Sequence, residues 1–298
     1  MRLFRPVEIA IKEIPWIASR PLAGIRNPAA VEFCENLMTN GYHADSLLKV
    51  LPRHKLIYIA VPKAASTRIR ETLARIEGRY SRSLKPSRRT KYRGPYGPRN
   101  FTIDSFFRLA SSPDTLRFSF VRNPYARSVS CWADKFADKP LVPGDCFIDA
   151  YLAARRDIDA GLPVGPDCTL SFSDFTVFAA ATANSHRDIH LRPQDDILNM
   201  PGITLGLIGK VESFNEDFVG VLDFLNAGDD IRREAMVKVN ESHHDDWPLH
   251  YTGELADRIY RAYERDFDRF GYARAIGQGH PPSPMMTAIR PAPAASRF

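Results

Sequence analysis

Cysteine is scarce and scattered in this chain. Cys34, Cys131, Cys146 and Cys168 are the four in 298 residues, too far apart for CxxC metal or redox pairs, and a chain of this length needs no disulfide framework to fold. They read as free or core thiols. Long apolar runs are missing too: no stretch approaches the ~20 residues of a membrane span. The start, MRLFRPVEIAIKEIPW, carries a charge every few residues and no apolar signal region, so a soluble, cytoplasmic protein without a transmembrane segment is expected. The nucleotide-triphosphatase signature GxxxxGK[ST] is absent, as is an acidic strand end placed to hold Mg²⁺, which argues against a nucleotide kinase, the nearest rival of the same fold class. No internal repeat is present.

What remains is ordinary in bulk and uneven in detail. Hydrophobic residues make up 44%, enough for one large α/β domain. We expect that domain over residues 54–276, after a helical preamble at 1–53 and before a disordered Pro-rich tail at 277–298. In the preamble, Val31, Cys34, Glu35 and Met38 share one helical period, and His43 to Leu51 suggest another. The net charge of +6 favours acidic partners. More than that whole excess sits in Arg79 to Arg99, which holds Arg79, Arg82, Lys85, Arg88, Arg89, Lys91, Arg93 and Arg99 with no acid among them. That run reads either as a solvated loop or as a lid that attracts an anionic ligand.

Leu56 to Gly78, LIYIAVPKAASTRIRETLARIEG, carries the first chemistry. Leu56 to Val61 is an apolar, β-branched and aromatic run suited to an inner strand of a parallel sheet, and Pro62 stops it. Ser66 or Thr67 offers an N-cap for a helix in which Ile69, Leu73 and Ile76 form one apolar stripe up to Gly78. The helix start thus faces a tight loop, where open N–H groups and Lys63 together suit a phosphate or sulfate. Lys63 is separated from Ser66 and Thr67 by Ala64 and Ala65, whereas a triphosphatase loop has its Lys directly before the hydroxyl residue.

Leu116 to Phe136, LRFSFVRNPYARSVSCWADKF, carries the second. Alternation of Leu116, Phe118 and Phe120 predicts a strand, Arg122-Asn123-Pro124 a turn, and Tyr125, Val129 and Trp132 the apolar stripe of a helix with Pro124 just inside its start. Arg122 leaves the strand end and Ser130 lies two turns into the helix, so a second anion fits between a guanidinium fork and a hydroxyl.

The two stretches together resemble the sulfotransferases that use 3′-phosphoadenosine 5′-phosphosulfate (PAPS), in particular the carbohydrate sulfotransferases related to the chondroitin and dermatan enzymes. HLRPQ at His190 to Gln194, IGKVESFNEDF at Ile208 to Phe218 and YERDFDRFGY at Tyr263 to Tyr272 agree with the same family. The resemblance covers roughly residues 56–272. It implies a parallel sheet of P-loop type flanked by helices. It puts the 5′-phosphosulfate on Lys63, Ala64, Ala65, Ser66 and Thr67, the 3′-phosphate on Arg122 and Ser130, and a general base at His190, for which a purely structural histidine stays the alternative. PAPS is the expected cosubstrate and no metal is called for: His186 and His190 lack a third ligand, and sulfuryl transfer needs none. The expected acceptor is an anionic or neutral glycan or glycolipid, including one presented at a membrane surface. No nucleic acid is expected, although Arg79 to Arg99 would be the element used if the chain were a basic nucleic-acid binder.

Further along, Phe172 to Ala183 predicts a helix, Leu205 to Gly209 a short strand, Ser213 the cap of a helix over Phe214 to Leu225, and Gly253 to Phe267 an amphipathic helix. Lys210 and Glu212 read as a structural pair, and Asn240 to His244 as a late loop over the nucleotide.

Overall fold

The computed structural model describes residues 27–40, 42, 44–78, 95–158, 161–182, 188–237 and 246–276. The tail, His186, the 240–244 loop and all of the basic run up to residue 94 therefore lie outside the described residues. In chain order the elements are α1 (Pro28–Asn40), α2 (Ala44–Leu47), β1 (Leu48–Leu51), β2 (Leu56–Ile59), α3 (Ser66–Ile76), α4 (Ile103–Ser111), β3 (Leu116–Val121), α5 (Pro124–Lys135), α6 (Cys146–Ala154), α7 (Phe172–Ala181), α8 (Gln194–Leu198), β4 (Leu207–Lys210), α9 (Phe214–Phe224), α10 (Asp229–Met236) and α11 (Gly253–Phe270). The chain divides into a sheet unit, up to Val121 and again from Leu198 to Val239, and a helical unit, Arg122–Ile197 with Asn240–Pro282.

The sheet unit holds four strands in the order β1-β2-β3-β4. β2, β3 and β4 run parallel, with β2 an inner strand as expected, and all four residues of β2 are buried. Pairing aligns Ile59 with Ser119 and Val121 with Lys210, so β2, β3 and β4 end at one edge of the sheet. Ser119 Oγ ties two strands there by donating to the Ile59 carbonyl, 2.7 Å away.

Two sequence expectations change in this unit. The helical reading of His43 to Leu51 is corrected: the helix stops at Leu47, and Leu48–Leu51 is an edge strand antiparallel to β2. Its apolar cluster fits either period, and pairing of Leu48 with Ile59 and Val50 with Ile57 decides for the strand. The Val50 N–H also donates to the Tyr96 carbonyl, which covers part of the outer edge. In α1 the buried face is Ala30, Phe33, Cys34 and Leu37, while Glu35 is exposed. The ring of Phe33 fixes that rotation by meeting Phe106 and Phe107 at 5.7 and 5.4 Å.

The core of the sheet unit joins Tyr58, Phe118, Phe120 and Leu207 to Ile69 and Leu73 of α3 and to the inner face of α9. Burying each such side chain contributes roughly 1.5–3 kcal/mol. Tyr58 stacks on Phe118 at 4.9 Å and Phe120 meets Phe214 at 5.1 Å. Gly209 lets that ring in: a Cβ there would lie 2.5 Å from Phe120. Ser213 does not cap α9 through its side chain; its hydroxyl donates to Asp217 Oδ2 at 2.8 Å, and Asp217 also accepts from the Lys210 N–H.

The helical unit is built on α5, whose Val129 and Cys131 join Phe136, Tyr151, Phe175 and Phe178 in a second core. α11 packs on both α5 and α7. It extends beyond the predicted Phe267 to Phe270, starts under a Thr252 cap that accepts from the Leu255 N–H, ends on Gly271 at φ 64°, and carries a break in helical geometry at Tyr263.

Candidate active site

The loop leaving β2 is built by its backbone. Lys63 and Ala65 have φ of 67° and 55°, in the left-handed region that costs a residue with a Cβ roughly 1–2 kcal/mol. Ala64 between them keeps a negative φ. Alternation of that kind turns successive N–H groups to one side, the concave arrangement that receives anions. Strain held at two adjacent turns is a mark of a site whose geometry matters more than local comfort.

The cap assigned to Ser66 or Thr67 is corrected here. α3 begins at Ser66 behind Ala65, and no side chain caps it. The left-handed turn at Ala65 brings the chain into the helix, so the first-turn N–H groups face outward with their partial positive charge unclaimed by a cap. Lys63, Ala64, Ala65, Ser66 and Thr67 thus lie in one turn at the carboxyl edge of the sheet, Lys63 half-buried and Thr67 exposed. Lys210, at the same edge on β4, is buried, and desolvation lowers its pKa against the pull of Glu212 and Asp217.

Arg122 and Ser130 belong to the helical unit. Asn123 caps α5 by accepting from the N–H groups of Tyr125 and Ala126 at 2.9 and 3.4 Å. Arg122 itself is held by Gln194: its N–H donates to Gln194 Oε1 at 2.9 Å, and Gln194 Nε2 donates to its carbonyl at 2.8 Å. Ser130 lies at the margin of burial, on the seventh residue of α5.

His190 precedes that anchor by four residues on the same segment. Its ring Nδ1 is 2.6 Å from Asp188 Oδ1, its backbone N–H donates to the same oxygen at 2.9 Å, and its ring meets Phe147 edge-on at 4.9 Å. Burial pushes the Asp188 carboxyl up, but hydrogen bonds and charge from His190, with Lys135 nearby, outweigh it and leave the group below its ordinary value. In a neutral imidazole whose Nδ1–H donates to that carboxylate, the other ring nitrogen is the acceptor, as a base requires.

With both regions described, comparison with known proteins places the chain. The model of the sulfotransferase family matches residues 46–273. The chain belongs to the sulfotransferase family. Similar proteins include carbohydrate sulfotransferase 11 of Danio rerio, 25% identical over 239 residues, which cover 74% of this chain and 65% of that one. Carbohydrate sulfotransferase 9 of Homo sapiens is 24% identical, covering 74% of this chain and 52% of its own. Carbohydrate sulfotransferase 12 of Mus musculus is 23% identical, covering 74% and 59%. The chain thus spans between half and two thirds of these relatives. No solved structure matches significantly.

Within this sulfotransferase-family chain, sequence reasoning passed over the residues that hold the 188–195 segment. HLRPQ and YERDF drew notice as motifs, yet Gln194, Asp266 and Arg127 received no role. Arg127 is buried and donates to the carbonyls of Arg192 and Ile189 at 2.8 and 3.3 Å. No sequence signal marked Arg127, which lies on the face opposite the predicted stripe of Tyr125, Val129 and Trp132; it is the folded chain, burying α5 from Pro124 to Cys131 on all sides, that forces this charge into pairing.

Proposed function

We propose that this chain transfers the sulfuryl group of PAPS to a hydroxyl of a carbohydrate or glycolipid. The observation that carries the reading is the doubly strained turn Lys63–Ala65 opening into an uncapped helix, a donor set fitted to a phosphosulfate. In this reading the 5′-phosphosulfate lies against Lys63 and the first N–H groups of α3, and Arg122 with Ser130 takes the 3′-phosphate. His190 accepts the acceptor's proton while the acceptor oxygen forms its bond to sulfur in line. The bond from sulfur to the bridging phosphate oxygen breaks, and the electron pair leaves with adenosine 3′,5′-bisphosphate. Lys63 meets the charge growing on that oxygen, where a preorganised donor is worth about 3 kcal/mol.

The test is incubation with labelled PAPS and a panel of glycans, lipooligosaccharides and small hydroxyl compounds. Label should move to a glycan, and calorimetry should find the bisphosphate bound at least about two decades more tightly than AMP, since a charged two-pronged phosphate contact is among the stronger polar interactions. Absence of both transfer and that preference would sink the reading.

A further inference from the structure

Inside the helical unit lies a knot of buried polar groups that no substrate needs to touch. Gln194 and Asp266 are fully buried and Arg127 nearly so. The Asp266 carboxylate accepts from the N–H groups of Gln194 and Asp195, each at 2.8 Å. Tyr263 Oη donates to the Leu191 carbonyl at 2.7 Å, from the point where α11 departs from helical geometry. Arg127 holds the carbonyls of Ile189 and Arg192. Residues 189–195 are therefore fastened through their own backbone on both donor and acceptor sides. From this fastened segment Gln194 reaches out and uses both ends of its amide on the two polar groups of the Arg122 backbone.

A glutamine amide has one acceptor oxygen and two donor hydrogens. Committing both ends to one residue sets the orientation of its backbone, and with it the direction in which the Cβ leaves. Arginine carries four rotatable side-chain torsions, so a fixed root removes much of the ordering that a ligand would otherwise impose. We propose that Gln194, made rigid by Asp266, is the positioning residue for the Arg122 guanidinium, and so sets how well the site distinguishes a 3′-phosphorylated nucleotide. This rests on the reading of Arg122 as the 3′-phosphate grip.

Calorimetry with adenosine 3′,5′-bisphosphate and with AMP tests it, on wild type, Gln194→Met, Arg122→Ala and the double variant. Methionine keeps the shape and loses both hydrogen bonds. Bisphosphate affinity should fall roughly 10- to 100-fold in Gln194→Met, the scale on which a small misplacement of a charged group is felt. AMP affinity should stay at the wild-type value, and it is this selectivity that a role confined to stability would not produce, since that would leave both affinities unchanged or weaken both alike. The double variant should lose no more than Arg122→Ala alone, because Gln194 acts through that side chain. If Gln194→Met does not fold, Asp266→Asn, which keeps the shape and one acceptor, should show the same selective loss. A Gln194→Met protein that retains the wild-type preference, or weakens both ligands alike, overturns the inference and leaves the reading of Arg122 intact. A wild type with no preference for the bisphosphate overturns both.

Discussion

The loop after β2 and the segment 188–195 hold their chemistry by opposite means. The loop is shaped by its own backbone: two left-handed residues and an uncapped helix start, all within Lys63–Ser66. The segment has a local turn only at its start, where Asp188 accepts from the N–H groups of His190, Leu191 and Arg192. It is held by Arg127, Tyr263 and Asp266, the latter two more than 70 positions away in sequence. A backbone-built grip tolerates changes to most of its side chains but few changes to its torsions. A side-chain-built mount behaves the other way round, and substitutions can test whether that contrast holds.

The largest effect is expected on the mount. His190→Ala should lower turnover by about 10²- to 10⁴-fold, the range for a positioned base, with bisphosphate affinity near wild type. Thermal denaturation should accompany the assay. If the variant keeps turnover within roughly tenfold and instead loses stability, His190 is one more brace of the segment and the base lies elsewhere.

Next comes a split between the two regions. Lys63→Ala should cut turnover by roughly 10²- to 10³-fold with a smaller loss in product-nucleotide affinity, since the charge it meets is largest in the transition state. Arg122→Ala should do the reverse, because a 3′-phosphate is unchanged during the reaction and its loss appears as weaker donor binding. Steady-state kinetics beside calorimetry separates these outcomes, and equal effects from both variants would erase the proposed division of labour.

A smaller effect bears on the loop alone. Ala65→Gly removes a left-handed cost of roughly 1–2 kcal/mol but adds unfolded-state freedom worth about 0.4–1 kcal/mol, so stability should rise by about 0–1.6 kcal/mol. Ala65→Val places a β-branched residue at φ 55° and should destabilise instead. Denaturant midpoints decide it: if valine is tolerated as well as glycine, the left-handed turn is not what shapes the loop.

The same contrast explains what was legible in the sequence. β3 was read to its observed ends, Leu116 to Val121, and α5 from Pro124, because alternation, a turn and a proline are local signals. The loop was legible as a strand, a stop and a helix. Its capping was not, since Ser66 and Thr67 look like caps while the chain turns instead at Ala65, and nothing in an alanine announces φ 55°. β1 was missed because Leu48 to Leu51 becomes a strand only by pairing with β2. Gln194 and Asp266 were seen as parts of motifs but not as partners: the bond between them links positions 72 apart, and only the folded chain supplies that neighbour.

The smallest effect concerns charge, and it belongs to the mount. The Asp188 carboxyl is raised by burial but lowered further by the His190 ring and backbone hydrogen bonds, by His190 charge and by Lys135, so its folded value lies below the ordinary 3.8. A carboxyl depressed in the fold stabilises above its unfolded value and loses that contribution as pH falls through the folded one. The side chain is 34% exposed, so screening limits the contribution to about 1 kcal/mol or less. Asp188→Asn should therefore denature a few degrees below wild type near neutrality. That gap should close as pH drops beneath 3.8, where wild type loses the charge that asparagine never had. Thermal scans from acid to neutral pH on both proteins measure it directly. A gap that stays constant through the acid range would mean that Asp188 holds His190 by shape and neutral hydrogen bonding alone, and the charge-dependent part of the mount would have to be dropped.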